Sequence, residues 1–221
     1  MCGRFTMTID PGDLQVEWGI GETPSEWIPR YNIAPTQPVA VLRDPLYKLI
    51  EYFQWGLVPY WAKEESIGGR MINARSETLR EKPSFRQAFS KRRCLILADG
   101  FYEWQKQPDK KPSIPYYFQL ADKRPFAFAG LWETWVKPDA SILHSCTIIT
   151  TSANELVGKV HERMPVILTA QNGWQWVEQH PEEELEKMLL PYPAELMTAR
   201  AVSVAVNSPS YDDIKCIKPG E

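Results

Sequence analysis

The residue with the most unusual chemical potential is the second. The chain opens Met1-Cys2-Gly3-Arg4-Phe5. An initiator methionine is normally removed when the next residue is as small as cysteine. Removal leaves Cys2 with an α-amine and a thiol on adjacent carbons. Reference pKa values of about 7.7–8.0 for such an amine and about 8.5 for such a thiol keep both partly nucleophilic near neutral pH. A 1,2-aminothiol of this kind condenses with an aldehyde to an imine, and the thiolate then closes a five-membered thiazolidine. No internal cysteine can do this. Position alone does not separate this chemistry from an incidental second residue, because chain ends are usually frayed. A retained Met1 would block it.

Three further segments carry groups suited to proton transfer or anion binding. Asn73-Ala74-Arg75-Ser76-Glu77 puts Asn73 and Glu77 on one face whether the segment is extended or helical, and Arg75 joins that face only if it is extended. Asp99-Gly100-Phe101-Tyr102-Glu103-Trp104 sets Glu103 among aromatics. Such surroundings desolvate a carboxylate and raise its pKa towards neutrality, although a surface strand residue is an equally good reading. His161-Glu162-Arg163-Met164-Pro165 holds the histidine best placed for proton transfer, between a helical candidate and a strand, although a lone histidine is more often structural. A second zincin histidine, a Pro-Cys-x-x-Cys pair, a dinucleotide fingerprint and a P-loop are all missing, so no metal and no cofactor is indicated. The four cysteines, at 2, 94, 146 and 216, form no Cys-x-x-Cys pair. Cys94 and Cys146 lie in apolar runs and read as buried strand residues, and Cys216 carries no assigned role.

The elements that must position these groups are mostly strands. Short runs rich in β-branched and aromatic residues fall at 39–42, 49–55, 94–98, 115–120, 126–129, 146–151, 166–168 and 201–206, between Pro, Gly and Asp turns. Helices are predicted over 11–18, over 83–90 with Pro83 in its first turn, over 152–160 behind a Ser152 cap, and over 181–190. Many strands, scattered helices and no βαβ rhythm predict an α+β fold of mainly antiparallel sheet, in one domain over residues 1–221. The polar stretch 105–112 is a linker candidate of hairpin size. The first twenty residues lack a signal-peptide pattern and no apolar run reaches membrane length, which predicts a cytoplasmic protein.

With 221 residues the chain can bury a substantial core, and its hydrophobic and charged fractions of 43% and 24% exclude disorder. The net charge of −3 argues against a general polyanion binder. Residues 60–112 nevertheless carry a surplus of five positive charges, interleaved with Trp61, Phe101, Tyr102 and Trp104. A solvated surface explains that charge; so does a confined groove for a single strand of nucleic acid.

Taken together, these segments resemble the SRAP family, the SOS-response-associated peptidases or abasic-site processing proteins. The resemblance rests on Met1 to Phe5, Tyr31-Asn32-Ile33-Ala34-Pro35, Trp55-Gly56-Leu57-Val58-Pro59-Tyr60-Trp61, Ile72 to Thr78, Arg93 to Trp104, Phe128 to Glu133, Cys146 to Thr151 and His161 to Pro165. Glu162, where the family often has Asp, and Leu97, where it commonly has Pro, are the two departures. The resemblance implies antiparallel sheets wrapped into a barrel-like core flanked by short helices. It implies that Cys2 crosslinks to abasic sites in single-stranded DNA as a thiazolidine, that Asn73 orients Cys2 and the opened sugar, that Glu103 handles the protons of sugar opening, and that His161 serves imine formation and reversal. Arg4, Arg75 and Arg163 would hold phosphates, Asn32 and Trp61 would line the groove, and the protein would act as a monomer. Two alternatives stay open: a Cys2-dependent N-terminal-nucleophile peptidase acting on its own first residue, and a non-catalytic single-strand binding module.

Overall fold

A computed structural model of the chain describes residues 2–24, 26–108 and 112–220. In chain order its strands and α-helices are β1 (Phe5–Met7), α1 (Pro11–Trp18), β2 (Arg30–Ile33), β3 (Pro38–Leu42), β4 (Glu51–Trp55), β5 (Asn73–Arg75), α2 (Arg86–Lys91), β6 (Arg93–Ala98), β7 (Gly100–Gln105), β8 (Ile114–Leu120), β9 (Phe126–Val136), β10 (Ile142–Ser152), β11 (Arg163–Pro165), β12 (Ile167–Leu168), α3 (Ala170–Val177), α4 (Glu182–Lys187) and β13 (Met197–Ala201).

Five strands close on themselves. Strand β10 pairs with β4, β4 with β3, β3 with β6, β6 with β9, and β9 returns to β10. All these pairings are antiparallel except β10–β4. Closure removes the open edges that a five-stranded sheet would otherwise expose. Strands β11 and β5 attach to β10, and β12 to β9. A second sheet runs β13-β8-β7-β1-β2, antiparallel throughout. Aromatics join the two bodies. The Phe5 ring meets Trp55 at 5.1 Å and Phe128 at 5.4 Å, edge to face, and Phe101 meets Phe128 at 6.3 Å in the same manner. Such pairs add to the burial of their own surface. The barrel-like, mainly antiparallel α+β fold expected from the sequence is the fold observed.

Where the local reading departs, tertiary pairing is the reason. Strands β9 and β10 are far longer than predicted, because each finds a partner along its whole length in a hairpin from Ile142↔Val136 to Ile148↔Gly130. The strand expected over 201–206 lies instead at Met197–Ala201, against β8. Its partner ends at Ile114, and Ser203 then caps a 3-10 helix, Val204–Asn207, through its side chain. Ser152 is no helix cap: it is the last residue of β10 and pairs with Arg163. Asn154 does the capping, accepting from the backbone N–H of Leu156 (3.1 Å) and Val157 (2.9 Å), and only a 3-10 turn, Val157–Lys159, follows. Helix α2 starts at Arg86, because Pro83 sits in the turn that precedes it. Helix α3 was not predicted; its Trp176 indole donates to the Cys94 carbonyl of the barrel at 3.1 Å. The 105–112 stretch joins β7 to β8, whose ladder reaches Gln105↔Ile114, and its residues 109–111 lie outside the described ones. Cys94 and Cys146 are buried strand residues, as expected, and Cys216 is buried as well.

Candidate active site

Cys2 does not fray. The β1–β7 ladder continues past the formal strand end, with the Tyr102 N–H donating to the Arg4 carbonyl at 2.9 Å. Cys2 is therefore held beside β7 and is completely buried. The strand behind it is pinned at its other end. Asp99 accepts from the hydroxyls of Thr6 and Thr8 and from the Thr8 N–H (2.9 Å), and the Tyr117 hydroxyl lies 2.9 Å from Thr6 Oγ1. Gly100 permits that approach, since a Cβ there would stand 2.1 Å from the Tyr117 oxygen.

Strand β5 supplies the second group. It runs parallel to β10, with Ile148↔Asn73 and Thr150↔Arg75 in register. Asn73 Nδ2 donates to the Cys2 carbonyl at 2.8 Å. Because the segment is extended through Arg75 and then turns into the 3-10 helix Ser76–Thr78, Arg75 shares the Asn73 face, and its side chain is exposed. Glu77 falls on the turn.

Strand β7 supplies Glu103, only 3% exposed. Burial is the main cause of its raised pKa, and the nearby His161 opposes the rise. Burial pushes the Cys2 thiol far above the ordinary thiol range, and the negative charge of Glu103 adds to it. Glu103 is thus within electrostatic reach of both Cys2 and His161. The His161 loop is fixed to the end of the same strand, through Gln105 Nε2 to the Lys159 carbonyl at 3.1 Å. His161 Nδ1 accepts from the Arg163 N–H at 3.0 Å, so the neutral ring carries its proton on Nε2.

The cations around this cluster differ in what they are free to do. Arg163 Nη1 and Nη2 hold the two Glu77 oxygens at 2.6 and 3.0 Å, and Nη2 also donates to the Thr150 carbonyl at 2.6 Å. Arg4 lies under the site, 9% exposed, with Nη1 donating to Asn32 Oδ1 (2.8 Å) and the Val206 carbonyl (2.7 Å). Its pKa is lowered, chiefly by burial. Trp61, half-exposed, lines a separate cleft of about 600 Å³ with Tyr60, Arg80, Arg86 and Lys91.

One expected site residue is misplaced by the sequence reading. Asn32 is fully buried and lines no groove. Its amide nitrogen donates to the carbonyls of Ser208 (2.9 Å) and Tyr211 (2.6 Å), and its oxygen accepts from Arg4. It straps the C-terminal segment against β2. The sequence reading also missed Thr150 and the Trp104–Asn207 contact (2.8 Å), which bring together residues far apart in the chain and leave no local signal. Among the described residues no group of three His, Cys, Asp or Glu could hold a metal ion, and no helix is long and apolar enough to cross a membrane.

Among the described residues, buried polar atoms without a hydrogen-bond partner include Asn73 Oδ1, Arg4 Nε and Arg163 Nε, and others lie on Trp18, Arg92 and Thr147. Buried polar groups are nearly always satisfied, so the open oxygen of Asn73, whose nitrogen binds Cys2, is a group that a ligand can complete.

A family model described as SOS response associated peptidase (SRAP) matches residues 1–209. The chain belongs to this family. It is 44% identical over 223 residues to the abasic site processing protein YoqW of Bacillus subtilis (strain 168), covering 99% of each chain. It is 28% identical over 261 residues to the abasic site processing protein HMCES of Xenopus tropicalis, covering 98% of this chain and 78% of that one. Among solved structures, a protein from Bacteroides thetaiotaomicron superposes with a TM-score of 0.89 at 25% identity over the whole of both chains. One from Bordetella bronchiseptica does so with a TM-score of 0.77 at 27% identity, covering 92% of this chain and all of that one.

Proposed function

We propose that this protein processes abasic sites in single-stranded DNA, capturing the sugar aldehyde on Cys2 once Met1 has been removed, and so shields the lesion during the response to DNA damage. What supports this reading is a buried Cys2 bound by Asn73 and within electrostatic reach of Glu103, which His161 in turn influences, in a chain similar along its length to proteins named for abasic-site processing.

An abasic deoxyribose equilibrates between a closed hemiacetal and an open aldehyde. Glu103, whose carboxyl burial holds above the ordinary range, delivers a proton to the ring oxygen and takes back the one that the anomeric hydroxyl loses. The Cys2 amine adds to the aldehyde carbon, and the carbinolamine loses one water to give an imine. The Nε2 proton of His161 serves that departure. The thiol then adds to the imine carbon, its proton passing to the nitrogen, and the thiazolidine closes. The net change is one C–N bond and one C–S bond formed and one water released. Asn73 fixes the Cys2 backbone during these steps. Burial disfavours free thiolate, so the sulfur is activated only when a proton acceptor stands beside it.

Arg75, exposed beside Asn73, and Arg163 hold the flanking phosphates in this reading, the buried Arg4 supplies positive potential from below, and Trp61 offers a stacking face. A missing base costs little to extrude, so selectivity resides in the covalent step rather than in tight binding. The imine is also the intermediate of a lyase, and self-removal of Met1 through Cys2 is the form of peptidase activity that a buried nucleophile allows. The direct test is incubation with an oligonucleotide bearing one abasic site, followed by denaturing electrophoresis. A shifted band is expected from the wild-type protein and none from Cys2→Ala or Cys2→Ser. A shifted band of equal yield from Cys2→Ala would overturn the assignment.

A further inference from the structure

The fork of Arg163 is already filled, and by a half-exposed carboxylate. Glu77 reaches from the turn after β5, past β10, to Arg163 on β11, and binds both terminal nitrogens. The two partners are unequal. The Arg163 side chain is 13% exposed and that of Glu77 52%. The carboxylate therefore caps the outer, solvent-facing side of the guanidinium.

Arg163 does not depend on Glu77 for its direction. Its backbone is fixed by the Ser152↔Arg163 pairing, and Nη2 is held from inside by the Thr150 carbonyl (2.6 Å) and Thr150 Oγ1 (3.3 Å). Thr150 is also the residue in register with Arg75, so the two arginines flank one position of β10. Arg163 Nε remains buried and unpaired. The result is a preoriented guanidinium whose outer fork fits two oxygens of a tetrahedral or planar oxyanion.

We infer that Glu77 is a placeholder for a DNA backbone phosphodiester: in the free protein its carboxylate occupies the anion site of Arg163, and on binding a phosphate next to the lesion displaces it. The inference rests on the abasic-site reading and adds a subsite to it. Release is offset on both sides, since the half-exposed carboxylate returns to water and a phosphate takes over both bonds of the fork. The consequence is discrimination. Undamaged strands must compete with Glu77 for the fork and gain nothing more, whereas a lesion held on Cys2 keeps its phosphate beside the fork long enough to win it. Glu77 thus weakens binding to undamaged strands in a chain already net acidic.

The test measures binding of the full-length protein to an undamaged oligo-dT by fluorescence anisotropy across a salt series, where no covalent step intervenes. Glu77→Gln should bind roughly 3- to 10-fold more tightly near 0.1 M salt, with the slope of log K against log salt steeper by about 0.7, one extra single-strand phosphate contact. Glu77→Asp, which keeps the charge but draws it back, should fall between the two proteins. In an Arg163→Ala background the Glu77→Gln gain should disappear. Unchanged or weaker binding by a folded Glu77→Gln protein, with no change of slope, would overturn the placeholder and leave Glu77 as a support for Arg163. If the wild-type protein and Glu77→Gln both fail to bind oligo-dT in any salt-dependent way, the DNA reading itself fails, and the placeholder with it.

Discussion

Cys2 and Cys146 are both completely buried, and burial pushes both thiols well above the ordinary range. Their surroundings are opposite. Cys146 sits in the closed barrel, in β10, and burial alone accounts for its shift. Cys2 sits where the second sheet meets the barrel, within the electrostatic reach of Glu103 and under an Asn73 donor. Burial makes a cysteine quiet; what distinguishes a reactive one is the set of proton-handling groups buried with it. Strand β10 buries hydroxyls of Ser145, Thr147 and Thr150, whereas the sheet junction buries the titratable Glu103 within reach of the thiol.

The sharpest way to break this contrast is by paired substitution. Cys2→Ala should abolish crosslinking and leave the melting temperature within a few degrees of wild type. Cys146→Ser should do the reverse: a buried hydroxyl with no arranged partner costs about 1–3 kcal/mol, read by denaturant titration, while the folded fraction crosslinks at the normal rate. A crosslinking loss confined to Cys146→Ser would invert the assignment.

Glu103→Gln separates function from stability. Removing the proton carrier should slow crosslinking by roughly 10²- to 10⁴-fold in single-turnover assays. The stability effect runs the other way. Glu103 has a folded-state pKa above its ordinary 4.5, so the folded form binds the extra proton between those two values. Its stabilising contribution is complete below pH 4.5 and is lost as pH rises through the folded value. Glu103→Gln should therefore melt higher than wild type at neutral pH, with the gap closing below that pH. A variant less stable than wild type at neutral pH would mean that the carboxylate is a structural anchor.

Smaller effects are expected further from the sulfur. Asn73→Ala removes one bond of 2.8 Å to the Cys2 carbonyl. It should slow crosslinking roughly 10-fold, equivalent to about 1.4 kcal/mol, with little loss of stability. Asn32→Ala should leave the chemistry nearly intact once folded, and should expose the segment after Val202 to limited proteolysis, because its amide ties down the Ser208 and Tyr211 carbonyls.

How legible all this was in the sequence follows the range of the interactions involved. The strands of the barrel were visible, since β-branched and aromatic runs such as 94–98 need no partner to be recognised. Their full lengths were not, because Phe126–Val136 and Ile142–Ser152 extend through each other's pairing. The Cys2 chemistry was readable because it resides in one residue and its position. Asn73, Glu103 and His161 stood out in their own segments and took their roles from the resemblance, and no local pattern could show that β5 and β7 bring Asn73 and Glu103 to Cys2. Asn32 was misread for the same reason: the carbonyls that its amide nitrogen binds lie more than 170 residues away in the chain. The Glu77–Arg163 contact spans 86 residues and crosses a strand, and only the fold reveals it.

The central claim is that the amine and the thiol of Cys2 both end up on one sugar carbon. Intact mass spectrometry of the purified adduct tests it most directly. The predicted mass is that of the protein without Met1, plus the abasic oligonucleotide, minus one water, and the species should survive without borohydride. Digestion should place the modification on the peptide beginning at Cys2. An adduct that retains Met1, or that maps to a lysine and persists only after reduction, would contradict the account.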